Sequence, residues 1–445
     1  MLKLKKESGK IILNLIILII LAVSIFFLAK YYEENNFYSF SKSEENLYSS
    51  EFKRDNKEKY SNNASYKIVS NNYNDAAFHK VIDVKKNMPY KVTCMVKVKD
   101  VKEESSNSGI GAQISIIDST ERSIAVKGTA DWQKIEFIFN SKNREQVDIG
   151  FRLGGNDGRC TGTAWFSNLE IEEGTLEDSN EWEFACFIFE NTQVNINNQE
   201  LNFKVTSSDI SDINTTIKRF ETACATLSNQ KMTAKCDTFR IQEPIKALSY
   251  DDEFGYYVAP EDVEKQIRKT INNSEYDHIF VVVRLGDNEH QKSIEINDWI
   301  GLGYMDYYGI GYSNIRLPND SKSYIYKYNT NINTFPEEVL LHEFLHSLER
   351  TSNEYGYEIP KLHDYEKYGY TNERLNGQKK WYTDYMNCNI ELSTGKKIGL
   401  PSDVYKLKPA KSSNFSYAYK LDYYKEPSNI LEEISEIFNR IIKKI

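Results

Sequence analysis

Thr334-Phe-Pro-Glu-Glu-Val-Leu-Leu-His-Glu-Phe-Leu-His-Ser-Leu348 is the stretch from which the rest of the chain is read. Leu341, Phe344, Leu345 and Leu348 recur at helical spacing and form one apolar face. Thr334 followed three residues later by Glu337 has the form of a capping box, and Pro336 falls in a first turn, where its missing N–H is tolerated. The stretch therefore predicts a helix. His342 and His346 lie four positions apart on it, so their rings leave the same side, while Glu343 projects at a different angle. The chain has only six histidines. A chance His-Glu-x-x-His would appear on the order of once in a hundred such chains.

That arrangement implies metal chemistry. Neutral imidazoles bind Zn²⁺ at about 2.0–2.1 Å, and a catalytic site keeps one position open for water. The cation lowers the pKa of that water towards about 7. A carboxylate placed like Glu343 takes the proton and later delivers it to a leaving amine. The residues thus predict zinc-dependent hydrolysis of peptide bonds, with His342 and His346 as ligands and Glu343 as general base. The plainer alternative is a helix carrying two histidines on a solvated face.

On these residues the chain resembles the zincin metallopeptidases. The resemblance is specific only at His342–His346. It implies an α+β catalytic domain in which an edge strand precedes the helix and binds substrate as an added strand; the segment from Trp299 to Leu317 would take that role. The glycine-histidine continuation of the metzincin branch is missing, since Ser347-Leu-Glu349 follows His346. The full thermolysin-like continuation is missing too. The third ligand is assigned to His363, in Ile359-Pro-Lys-Leu-His-Asp364, with Asp364 as a neighbouring support. Glu366, Glu354 and Glu358 stay open as alternatives, and Glu349 suits a place behind the ligands. In Trp381-Tyr-Thr-Asp-Tyr-Met-Asn387, Met386 resembles the methionine beneath the metal in metzincins, or else is ordinary core. Tyr382 or Tyr385 is a candidate donor to the oxyanion.

Upstream, the pattern changes from helical to alternating. Tyr90-Lys-Val-Thr-Cys-Met-Val-Lys-Val98, Gly111–Ile116, Trp132–Phe139 and Val147–Leu153 read as short strands separated by polar clusters. They predict an antiparallel β-sandwich. With Gly128-Thr-Ala-Asp-Trp-Gln133 and Gly162-Thr-Ala-Trp-Phe166, the order of features resembles the jelly-roll carbohydrate-binding modules. That resemblance implies a glycan partner held through aromatic rings, with Trp132 and Trp165 the obvious rings; core tryptophans and a ligand-free spacer are the competing readings. Between sandwich and motif, Ser208–Leu227 and Pro260–Thr270 read as helices, and 232–242 and Asp277–Arg284 as strands. At the other end, apolar residues at helical spacing predict a helix over Asn429–Ile445.

Ile11–Ala29 is apolar apart from Asn14 and Ser24, and Lys3, Lys5, Lys6 and Lys10 precede it. About 20 such residues cross a bilayer core, and the positive side stays in the cytoplasm. The expected order is a cytoplasmic tail (1–10), a transmembrane anchor (11–29), a linker (30–60), the sandwich (61–175) and a zincin-like metallopeptidase domain (185–445). The catalytic part would lie outside the cell membrane, or be secreted if the anchor is cleaved. A chain of 445 residues suits several domains. Its net charge of −9 argues against a nucleic-acid partner. Six scattered cysteines leave disulfides open, Cys224 with Cys236 or Cys94 with Cys160 first. The expected substrate is a protein or glycoprotein. The rival readings are a surface adhesin or glycan binder with an inert zincin domain, and a zinc amidase acting on cell-wall material.

Overall fold

The computed structural model describes residues 18, 21–28, 38–41 and 50–421, apart from 63, 105–109, 157, 272–274, 298, 308, 320–336, 372–376 and 416–418. Nine strands build the first lobe: β1 (Tyr38–Ser41), β2 (Ser50–Asp55), β3 (Ser65–Asn74), β4 (Ala76–Asp83), β5 (Pro89–Glu103), β6 (Gly111–Ile116), β7 (Gly128–Asn140), β8 (Gln146–Gly154) and β9 (Cys160–Glu173). They pair antiparallel into two sheets, β1-β4-β8-β6 and β2-β3-β9-β5-β7. Period-two alternation turns Val92, Cys94, Val96 and Val98 of β5 inward to meet Ile149, Phe151 and Leu153 of β8 in one core. This is the sandwich that the alternating runs predict. Its limits differ from the expected ones. β1 and β2 lie within residues assigned to a linker, and in β2 the polar side chains of an edge strand hide the alternation.

The second lobe is a mixed sheet of β10 (Glu181–Phe189), β11 (Thr233–Ile241), β12 (His278–Arg284), β13 (Gly301–Tyr307) and β14 (Ile310–Leu317), in the order β11-β10-β12-β14-β13. All neighbours are parallel except β13, which runs antiparallel to β14 along one edge. β12 reads as a continuous apolar run because both its faces are buried. On one face lie α1 (Ser207–Leu227), α3 (Glu338–Glu354) and α4 (Lys379–Met386); α2 (Pro260–Thr270) packs with the core on the other.

α3 is fixed by its apolar stripe. Phe344 is fully buried among the rings of Trp182, Phe184 and Phe220, at centroid distances of 5.1, 4.9 and 6.3 Å. Truncating such a side chain costs about 3–5 kcal/mol, so this contact sets where the helix sits. The first helical residue is Glu338, and Glu337 bonds to Arg219 Nε at 2.8 Å rather than closing a capping box. Thr334 and Pro336 lie outside the described residues. So does the helix expected over 429–445.

Of the anchor segment 11–29, Leu18 and residues 21–28 are described, and they are helical; the others lie outside the described residues. Among the described residues, no helix is long and apolar enough to cross a membrane. All six cysteines are free thiols, five of them buried, so neither expected disulfide forms. Trp165 is buried and its indole donates to Asp55 Oδ2 at 3.1 Å, which makes it a core residue.

Candidate metal centre

Three imidazoles converge beside α3. The Nε2 atoms of His342 and His346 are 3.1 Å apart, and His363 Nε2 lies 2.9 Å from the first and 3.1 Å from the second. The helical pair owes its geometry to the four-residue spacing. His363 arrives on the loop after α3, and two bonds pin that loop. The Leu362 amide donates to Glu349 Oε2 at 3.3 Å, and the Trp381 indole donates to the Leu362 carbonyl at 3.0 Å.

The outer nitrogens are held as well. His342 Nδ1 lies 2.9 Å from the Tyr382 hydroxyl, which donates to Glu338 Oε1 at 2.6 Å. A hydroxyl that donates to the carboxylate can only accept from the ring, so the proton sits on Nδ1 and the Nε2 lone pair faces inward. His346 Nδ1 lies 3.4 Å from Glu349 Oε2, which favours the same tautomer. Desolvation, and then the rings of His346 and His363, hold the His342 imidazole well below its ordinary pKa. Desolvation and His346 likewise lower His363, against Glu349 and Asp364.

Neutral imidazoles are the form that binds a metal. A tetrahedral zinc with bonds of about 2.0–2.1 Å separates its nitrogen ligands by about 3.4 Å. The separations here are slightly tighter, and inward-facing lone pairs at such distances repel unless a cation lies between them. The donor set therefore fits Zn²⁺.

Glu343 is buried between α3 and β13. Desolvation, and then Glu338, push its carboxyl up to about 8, against a hydrogen bond from the Gly303 amide. The alternative ligands lie outside the histidine cluster: Glu354 pairs with Lys142 at 2.5 Å, and Glu358 and Glu366 are not part of it; Asp364, the expected support, pairs with Lys367 at 3.2 Å. Tyr382 stands behind His342, which removes it from the place of an oxyanion donor. Tyr385 is fully buried, with its hydroxyl in the core. Met386 ends α4 in the same core cluster as Leu345 and Tyr405. A separate group, Asp287, Glu289 and His290, lies near the surface on a hairpin.

No known family matches the chain, and no curated protein matches it. Solved structures with partial likeness exist. The enzymatically active domain of tailspike protein 4 from bacteriophage CBA120 aligns at 11% identity and TM-score 0.23, over 31% of this chain but only 19% of that one. The carbohydrate-binding module TmCBM61, solved with β-1,4-galactotriose, aligns at 14% identity and TM-score 0.22, over 32% of this chain and 92% of that one. The CBM22-1 xylan-binding domain of Xyn10C from Paenibacillus barcinonensis aligns at 9% identity and TM-score 0.21, over 30% of this chain and 83% of that one. Likenesses this low carry no argument about ligand or activity.

Sequence reasoning placed Glu349 behind the ligands but missed Glu338, which lies four residues before His342, so helical spacing alone could have found it. Tyr382, forty positions from His342, had no such signal.

Proposed function

We propose that this chain is a zinc-dependent peptidase. The observation that carries the reading is the convergence of the three Nε2 atoms beside a buried carboxylate. His342, His346 and His363 would hold the ion, Tyr382–Glu338 and Glu349 orienting the first two rings. Zinc bound there would lower the pKa of water towards about 7 and polarise a carbonyl. A cation held by the three imidazoles would favour the ionised form of Glu343, which would take the proton of the attacking water and return it to the amine that leaves. β13, the antiparallel edge strand alongside α3, is where an extended peptide would add as a further strand. Its position is what the resemblance to zincins implies for the substrate strand. The apolar run at 11–29 supports a place at the cell surface, with the catalytic lobe outside.

Purified protein is expected to carry one zinc per chain and to cleave a general protein substrate, while Glu343→Gln keeps the metal and loses cleavage by a factor of about 10² or more. Equal cleavage by both forms would end the peptidase reading. Cleavage of cell-wall amides but not of protein would point to the amidase.

A second reading concerns the sandwich. The exposed Tyr60 ring lies 5.9 Å from the half-buried Trp132 ring, and Lys97 beside them bonds to Glu58 at 2.9 Å. Rings with polar neighbours suit a sugar face. Retention on insoluble polysaccharide should fall in Trp132→Ala; unchanged retention removes the ring pair from that role.

A further inference from the structure

We infer that Gly301 and Gly303 are positioning residues that clamp the Glu343 side chain beside the three histidines. The inference rests on the peptidase reading for its catalytic consequence, though not for its geometry. A Cβ built on Gly301 would lie 2.5 Å from both Cγ and Oε1 of Glu343. One built on Gly303 would lie 2.3 Å from the Glu343 carbonyl oxygen and 2.8 Å from its Cα and Oε2. At Gly303 the atoms met include helix backbone, so the strand reaches α3 there only because the position is glycine; at Gly301 they belong to the Glu343 side chain, which would have to move. Neither glycine has the positive φ that would otherwise explain it.

The strand is shaped for this. Leu302, between the two glycines, is buried in the core on the far side of the sheet. The pairing of β13 with β14 runs through Leu302↔Asn314 and resumes at Met305↔Tyr312, so two residues of β13 oppose one of β14. This irregularity takes Gly303 out of the ladder, and its amide donates to the Glu343 carboxylate instead. A free glutamate samples many rotamers. Here the backbone of β13 walls one side of the carboxylate and bonds to it.

Two readouts test this. In the first, Gly301→Ala and Gly303→Ala are made with and without Glu343→Ala, and thermal midpoints are measured on the full chain. Each glycine substitution should lower the midpoint of the parent, and for Gly301→Ala the loss should largely disappear once Glu343 is truncated. An equal loss in both backgrounds would overturn the clamp. In the second, zinc content and steady-state kinetics are measured for whichever glycine variants fold. Zinc should stay stoichiometric and KM should change little, while kcat falls about 10²-fold, the usual cost of misplacing a reacting group by about 1 Å. Unchanged kcat in a folded, zinc-loaded Gly303→Ala would also overturn it. If the unmodified chain cleaves nothing, the peptidase reading fails and the midpoint experiment still decides the contact.

Discussion

Tyr382, on α4, joins His342 and Glu338 of α3. Its hydroxyl accepts from His342 and donates to Glu338, so it holds one ring in the tautomer that a metal needs. Groups behind metal ligands typically contribute about 10–100-fold to affinity. Tyr382→Phe removes the hydroxyl, keeps the ring, and should weaken zinc binding by that factor in competition with a chromogenic chelator. An unchanged affinity would reduce Tyr382 to packing. This residue also marks what was legible. His342, Glu343 and His346 could be read because helical spacing makes their relation local. His363, seventeen positions beyond His346, is brought in by a loop, and proximity across a loop leaves no periodic trace. Its assignment therefore rested on residue type, with three carboxylates in competition; the fold sets its Nε2 3.1 Å from that of His346.

Among the elements, β2 shows how a strand escapes a sequence reading. Ser50-Glu-Phe-Lys-Arg-Asp55 has one apolar side chain, Phe52, and reads as a polar linker. The long strands β5 and β8 and the helices α1 and α2 carry their periodicity openly because each buries a full face. β2 is an edge strand, held by backbone pairing to β3 and by polar contacts at its end. Asp55 is the chief of these. Burial alone would raise its carboxyl, but the indole N–H of Trp165, the amides of Lys57 and Glu58, and Lys67 outweigh burial and hold it at about 2. A carboxyl whose pKa is lower in the folded chain than in the unfolded one binds its proton more weakly when folded. Its stabilisation is thus complete above about pH 4 and is lost as pH falls towards about 2. Asp55→Asn should cost about 1–2 kcal/mol at pH 7, after allowance for solvent screening of a half-buried group. The gap between the two denaturation curves should close by about pH 2. A gap that stayed constant with pH would mean that the Asp55 charge contributes nothing.

At the scale of the whole molecule, the two lobes behave as one body rather than as a module on a tether. Tyr355, capping the end of α3, donates to Asn87 Oδ1 at 2.6 Å, and Lys142 pairs with Glu354 at 2.5 Å, so the helix that carries His342 and His346 ends against the sandwich. Arg122 reaches Glu261 of α2 at 3.3 Å. The chain then returns from the second lobe: Asn414 Nδ2 donates to the Thr175 carbonyl at 2.9 Å, and β15 (Tyr419–Leu421) adds to the sandwich by pairing antiparallel with Ile171–Glu173 of β9. A strand that follows the second lobe is thus paired into the sandwich sheet. The sequence could not reveal it, since the pairing joins segments almost 250 positions apart. Heating should therefore give one cooperative transition, with the sandwich and the second lobe unfolding together. Tyr355→Ala combined with Lys142→Ala should lower that transition, because both bonds at the end of α3 are lost. Two well-separated transitions in the unmodified chain, or a protease-resistant sandwich released intact, would show the lobes to be independent. The joint would then be a contact surface, with no part in setting α3.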